Sequence, residues 1–272
     1  MTDTQLPTIH DVDFATLYKN HFKLSARKGK TAEDWKEKAE KMQRSDFDLQ
    51  SEYVKQFMAH MKLSPSDTVL DVGCGGGALA LAIAPHVKAV YALDFCQEML
   101  DVVQKRAKIM NIKNIHPILR AWEDDWDNVP KCDICISSRS SMVGDLDDAI
   151  NKLNQHAHKA VHMSMLVEKD FISPEVLRAI DRDSVGFPNY MYALNLLYQK
   201  GYFPTVSFIE SHGCLVEPKA LTADQLIKAV SWSVGKLTEQ EIKDLKLYHA
   251  AHPDIKSPYN LFRKWALLSW DK

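Results

Sequence analysis

Val69-Leu70-Asp71-Val72-Gly73-Cys74-Gly75-Gly76-Gly77 runs into Ala78-Leu79-Ala80-Leu81-Ala82-Ile83-Ala84 and is answered by Tyr91-Ala92-Leu93-Asp94. An apolar β run ends in an acid and breaks into four glycines within five residues, then resumes as a small-residue helical pattern. A second apolar run closes on another acid, so the reading is strand, tight turn, helix, strand. Glycines between a strand and a helix let the backbone take φ > 0 and come close to a ligand, at the electropositive start of the helix. A nucleotide-like ligand is expected at this turn.

Two ligand classes fit it. Gly73-x-Gly75-x-x-Ala78, with Asp94 about twenty residues on, also satisfies the dinucleotide fingerprint in which the acid holds a ribose. Asp71 separates the two, because a carboxylate two residues before the first glycine repels a pyrophosphate and suits an ammonium. S-adenosylmethionine carries an amino group and a ribose diol and no phosphate. On Asp71, Gly73, Gly75, Gly77 and Asp94 the chain resembles the class I S-adenosylmethionine-dependent methyltransferases, and the likeness extends more weakly over residues 50–165 and the final strand. It implies an α/β, Rossmann-like, seven-stranded, mostly parallel sheet with helices on both faces. An N-terminal helical cap and a helical insertion before the last strand complete the expected fold. The expected division is 1–45 for an N-terminal arm and cap helix and 46–272 for the methyltransferase domain, with the insertion at about 218–256.

Bulk properties narrow the class. At 272 residues and 46% apolar, the chain has ample material for a core. The formal net charge of −2 gives no electrostatic support for a non-specific grip on nucleic acid. Five cysteines (Cys74, Cys96, Cys132, Cys135 and Cys214) are an odd number in apolar or motif-like stretches, which suits reduced thiols. The polar N-terminus does not read as a signal peptide, and no apolar run approaches a membrane span. A cytoplasmic protein with no membrane partner is expected.

Residues 1–30 show no sustained period, and Arg27-Lys28-Gly29-Lys30 suits a solvated loop or a contact to an acidic substrate. Thr31 then caps a helix carrying Trp35, Ala39 and Met42, and a second helix at about 48–62 stacks Leu49, Tyr53, Phe57 and Met61. In the family it resembles, such helices cover the cofactor cleft, so Trp35 and Tyr53 are candidates for a lid as well as for packing. After Asp94, a helix begins at Phe95 and reaches about Met110. The resemblance places Phe95 and Met99 against the adenine, although Met99 also sits at helical spacing with Val103. Past the strand Ile115–Leu119 it places a backbone amide and an acid at the base. Ala121, Trp122 and Glu123 fall there, with Asp124 the alternative acid.

Cys132–Ser138 is the fourth strand, running into Arg139-Ser140-Ser141. Cys132 and Cys135 have zinc-like spacing without the second pair a site requires, so no metal is expected. Ligands in open α/β sheets sit outside the carboxyl ends of the strands, which sets Ser137 to Ser141 beside the sulfonium. The absence of Asn-Pro-Pro-Tyr or Asp-Pro-Pro-Tyr there disfavours the family's exocyclic-amine enzymes. Arg139 either clamps a substrate carboxylate or phosphate, or pairs with a nearby acid such as Asp145.

The remaining pattern is a helix at 145–157, a strand at 160–166, a helix after Ser173-Pro174, a helix at 187–202 ended by Gly201, a strand at 205–210, helices at 222–234 and 238–251, and a strand at 261–270. His156 and His158 face different ways on a helix and His162 falls on a strand, which argues against a metal site and leaves His162 as a packed histidine or one that reaches the cleft. Tyr190, Tyr192, Asn195 and Tyr198 are denser in polar groups than packing demands. Methyl transfer from a sulfonium expels a neutral leaving group, so positioning suffices and a general base is optional. Ser138, Arg139 and Tyr192 are the candidates for the acceptor pocket. A small-molecule acceptor is favoured over nucleic acid, and the inserted helices suit a lid or a homodimer surface. A binding protein without turnover and a nicotinamide oxidoreductase are the other classes the motif admits.

Overall fold

The computed structural model describes residue 6 and residues 8–25, 30–44, 49–183, 185–212, 219–260 and 262–272. Arg27, Lys28, Gly29 and Cys214 lie outside the described residues. The centre is a seven-stranded sheet in the order β3-β2-β1-β4-β5-β7-β6. Its strands are β1 (Thr68–Val72), β2 (Ala89–Asp94), β3 (Ile115–Leu119), β4 (Cys132–Ser138), β5 (Ala157–Leu166), β6 (Thr205–His212) and β7 (Phe262–Asp271). β1 to β5 are parallel, and β7 runs antiparallel to both β5 and β6. The expected seven-stranded, mostly parallel architecture is therefore present, and the structure adds that the reversed strand is β7.

Both faces of the sheet are covered, and β1 shows how. Val69 joins one apolar layer while Leu70 and Val72 join the other, as period-two alternation dictates. The first layer packs α3 (Glu52–Ala59), α4 (Ala78–Ile83) and part of α5 (Gln97–Ile109). The second packs α1 (Phe14–Leu24), α6 (Leu146–His156) and α8 (Tyr190–Gln199). A third core joins α7 (Pro174–Ala179) to the inserted α9 (Ala223–Val234) and α10 (Glu239–Ala251) through Ile172, Val176, Leu226, Val230 and Leu245. Finally, α2 (Ala32–Arg44) lies across α5, with Ala39 against Cys96, Met99 and Val102.

Two readings of the sequence change. Residues 1–30 contain a full helix, α1, capped by the Asp13 side chain. Its buried Tyr18 donates a hydrogen bond to the Val143 carbonyl at 2.7 Å. The helix at 187–202 shortens to α8, because Asn189 takes the cap position. The three histidines also part company. His156 bonds the carbonyls of Lys152 and Trp126, His158 is exposed, and His162 meets the Ser269 hydroxyl at 2.8 Å. Burial pushes His162 down to about 4. Cys132 and Cys135 fall on one face because the β4 register shifts between Cys132 and Ile134, and burial raises both thiols. No cluster among the described residues could hold a metal ion, and no described helix is long and apolar enough to cross a membrane. Tyr18→Phe leaves the Val143 carbonyl buried without its donor, so it is expected to cost about 1–3 kcal/mol in urea unfolding.

Candidate functional site

The glycine turn hangs from the end of β2. The amides of Gly73 and Cys74 both donate to the Leu93 carbonyl, at 2.8 and 3.0 Å. Gly75 N–H donates to one Asp94 carboxylate oxygen at 2.8 Å, and Cys96 N–H donates to the other at 2.9 Å. Asp94 thus clamps the turn to the start of α5. Each of its oxygens keeps a further lone-pair site, which is what a ribose diol requires.

The glycines differ in what they do. Gly73 has φ +69°, and a Cβ there would lie 2.3 Å from the Ser140 Cβ. Gly77 has φ +79°, caps α4, and would meet Val103 at 2.9 Å. Gly75 has φ +52° and open space where its Cβ would stand, so this is the side from which a ligand can approach the backbone. Gly76 is closed on the opposite side by Arg106, which the sequence reading did not single out. The Arg106 guanidinium donates to the Gly76 carbonyl at 2.7 Å and to the Met42 carbonyl at 3.2 Å, joining the turn, α5 and α2.

Asp71 sits beneath the turn, buried, with the Ala80 backbone amide offering its carboxyl a favourable dipole. Burial, then the neighbouring Asp94 charge, pushes its carboxyl up to about 7. Burial also raises Asp94, against the pull of its backbone donors. A cationic group brought to this end of the turn would relieve both.

The residues expected at the base are divided. Phe95 is half-buried at the rim, whereas Met99 is buried in the seam between α2 and α5 with Ala39, Cys96 and Val102, so packing accounts for it. The Ala121 amide donates to the Asp124 carboxylate at 2.8 Å and is therefore spent within the turn. Asp124 is committed in the same bond, while Glu123 stands exposed. The Trp122 indole stacks on Trp126 at 5.3 Å and donates to the Ser140 carbonyl at 3.0 Å, bridging the ends of β3 and β4.

At the end of β4, Ser137 is fully buried. Its hydroxyl contacts those of Ser140 and Ser141, each at 2.9 Å, and Ser140 donates to the Val72 carbonyl at 2.6 Å. This web fixes the β1 and β4 ends together, and it corrects the expectation that Ser137 faces the cofactor. Ser138 shares a hydrogen bond of 2.8 Å with the buried Tyr53 hydroxyl, which also meets Ser164 at 2.7 Å. Ser164 in turn accepts from the Arg139 amide at 3.0 Å.

Arg139 does not pair with Asp145. That acid caps α6 and holds Lys19 at 2.6 Å. The Arg139 side chain is exposed, with its guanidinium 4.1 Å from the centre of the Tyr53 ring and no carboxylate partner among the described residues. Its backbone is left-handed, with φ +57°. Tyr192, on the first turn of α8, is held by His21 Nδ1 at 2.9 Å and stands edge-on to Tyr18. His21, which the sequence reading did not single out, keeps a buried Nε2 with no partner among the described residues.

Above the turn, Trp35 of α2 meets Trp232 of α9 edge-on at 5.8 Å, and Lys228 pairs with Glu37 at 2.9 Å. The cap helix and the insertion therefore touch.

Asp71 sets a pH dependence. Between the ordinary carboxylate range near 4 and about 7, the folded chain holds a proton that the unfolded chain has released. Stability therefore falls as pH rises across that window and levels above it. Asp71→Asn should flatten most of this slope in urea unfolding followed from pH 4 to 8, and Asp94, shifted in the same sense, should account for the remainder. Gly73→Ala should destabilise markedly more than Gly75→Ala in the same assay, because only the former drives a Cβ into Ser140.

Comparison with known proteins bears on the same stretch. Residues 69–161 match the methyltransferase domain family. An uncharacterised Haemophilus influenzae protein is 35% identical over 266 residues, spanning 97% of this chain and 98% of that one. The ribosomal RNA small subunit methyltransferase G of Flavobacterium johnsoniae is 27% identical over 75% of this chain and 90% of its own length. The crystal structure of a Bacillus halodurans protein assigned as a methyltransferase superposes with a TM-score of 0.55 at 14% identity, covering 80% of this chain and 97% of that one. A glycine turn open at Gly75, an acid at the end of the second strand and a reversed β7 all agree with that kinship, and the chain belongs to the class I S-adenosylmethionine-dependent methyltransferases.

Proposed function

We propose that this methyltransferase acts on a small acceptor bearing an anionic group, with Arg139 as the clamp. The supporting observation is the Arg139 guanidinium itself, laid on Tyr53 at the carboxyl end of β4 with no carboxylate partner among the described residues. A left-handed backbone at a non-glycine residue is costly to hold, and the Ser164 hydroxyl holds it by accepting the Arg139 amide. A charge presented on a fixed aromatic face is preorganised to bind, and a planar guanidinium suits a carboxylate or phosphate. The net charge of −2 and the contact between α2 and α9 favour a small, enclosed acceptor over RNA.

The geometry described above supports a reading of the donor half. S-adenosylmethionine supplies an electrophilic methyl group whose departure leaves a neutral thioether. Asp94 would hold the ribose diol with its spare lone pairs, and the open side of Gly75 would face the methionine portion. Asp71 compensates the ammonium through the turn, since its carboxyl points to Ala80. Phe95 and Trp122 wall the adenine, with Glu123 as the acid for its amine. Ser138 and Tyr192 complete the acceptor rim. No step requires a protonated leaving group, so the chain contributes alignment and exclusion of water.

Calorimetry should show Asp94→Ala binding S-adenosylhomocysteine at least about tenfold more weakly, and unchanged affinity would remove the ribose assignment. With methyl-labelled S-adenosylmethionine and a cell extract, label should enter the acid-soluble small molecules and not precipitable RNA or protein. Arg139→Gln should cut that incorporation roughly ten- to a hundredfold, as expected for hydrogen bonds to a charged group, while product affinity stays the same.

A further inference from the structure

We propose that the outer face of α8 and the outer edge of β6 form a twofold interface between two copies of this chain, whose sheets join edge to edge. The sequence marks the region first. Between Phe187 and Ile209 the only formal charge is Lys200, and Asp147 neutralises it at 2.8 Å. α8 nevertheless has solvent on one side. Ala193, Leu196 and Leu197 face the core, while Met191 and Tyr198, seven residues apart on the opposite stripe, are exposed. The solvent stripe of a monomer's surface helix ordinarily carries charges, and this one carries none.

The patch continues from α8 onto the sheet edge. Phe203 stands edge-on to Tyr198 with ring centres 6.1 Å apart, and Phe208 stands edge-on to Tyr190 at 5.8 Å, so an aromatic pair closes each end of the α8 stripe. Phe203 is 78% exposed, Phe208 51%, Met191 44% and Tyr198 41%. At roughly 200 Å² for a fully exposed side chain of this size, the four leave on the order of 400 Å² in solvent. That is about half of the roughly 800 Å² that each partner gives to a stable interface, and the β6 edge beside them has to supply the other half.

β6 ends the strand order, and no described strand pairs with its outer side. Its register with β7 runs unbroken from Thr205 to His212, without a bulge or a proline. Such an edge is a template for another strand unless something blunts it. A twofold axis perpendicular to the sheet turns one strand into an antiparallel pair, so the same surface serves both copies, and the neutral patch carries no charge to repel its own image. An axis at Ser207 sets Val206 opposite Phe208 and Thr205 opposite Ile209, apolar or uncharged side chains on both faces. An axis at Phe208 would instead set Val206 against the Glu210 carboxylate. With the axis at Ser207, both α8 helices lie on one face of the joined sheet and enclose the exposed aromatic rings. The inserted helices offer no comparable surface. Leu247 of α10 is exposed beside Lys243 and Lys246, whose like charges would meet across an axis.

Sedimentation equilibrium of the full chain should give a dimer with a dissociation constant of about 1 μM or tighter, within the range that interfaces of this size reach. Phe208→Lys and Met191→Lys should each leave a monomer that is folded by circular dichroism, since both side chains lie on the surface of the single chain. Leu247→Lys should leave the dimer intact. Mixing Phe208→Lys with Phe208→Glu should restore pairing, because an axis at Ser207 brings the two positions onto one diagonal, about 7–8 Å apart. A wild-type chain that stays monomeric, a dimer that survives both lysine variants or is broken only by Leu247→Lys, or a mixture of the two Phe208 variants that stays apart overturns the proposal. So does a monomer whose aromatic face is occupied by a different protein.

Discussion

The two hydrogen bonds received by the Asp94 carboxylate constrain everything built around the donor. By taking Gly75 N–H on one oxygen and Cys96 N–H on the other, it ties a glycine turn that has almost no side chains of its own to the first residues of α5. The turn would otherwise be held only through Leu93, Arg106 and the packing of Ser140 and Val103. A charged acceptor makes a stronger bond to an amide than a neutral one does, and the backbone bonds partly offset the burial of this acid. Structure and proposed binding draw on the same group, because the oxygens that fasten the turn are those proposed for the ribose.

The second half of the site is assembled on the serines of β4 and β5. Ser137, Ser140 and Ser141 join the ends of β1 and β4, while Ser138 and Ser164 hold the Tyr53 hydroxyl between two strands. Small hydroxyls do this well because each both donates and accepts, so a closed circuit forms without buried charge. The outcome is a rigid shelf on which one exposed guanidinium is displayed.

Much of the donor half was legible because its residues are contiguous: glycines, terminal acids and apolar runs keep their meaning within a short window. The mostly parallel sheet followed from the family resemblance, whereas the reversal of β7 had no local signal. What escaped was set by tertiary contact. Phe14, Tyr18 and Phe22 do carry a helical repeat, but it is short and interrupted by polar residues, and only the sheet beneath explains α1. Arg106 looked like one more charged residue on a helix, and its role depends on a carbonyl thirty residues away. Met99 was ambiguous between base and core until α2 was placed over it. Ala121 offered an amide by analogy, yet Asp124 three residues on captures it, a local competition that acidic side chains win readily in turns.

The sheet order has an evolutionary corollary. Residues 71–123 carry the proposed donor side on β1, β2 and β3, whereas Tyr53, Arg139 and Trp265 come from three separated parts of the chain and meet near the ends of β4 and β7. The hydrogen bonds of Asp94 lie within the first side and those of Tyr53 within the second, and Ser140 is the residue that joins the two. Such a partition lets descendants of one ancestor exchange their acceptors while the machinery that supplies the methyl group is inherited whole.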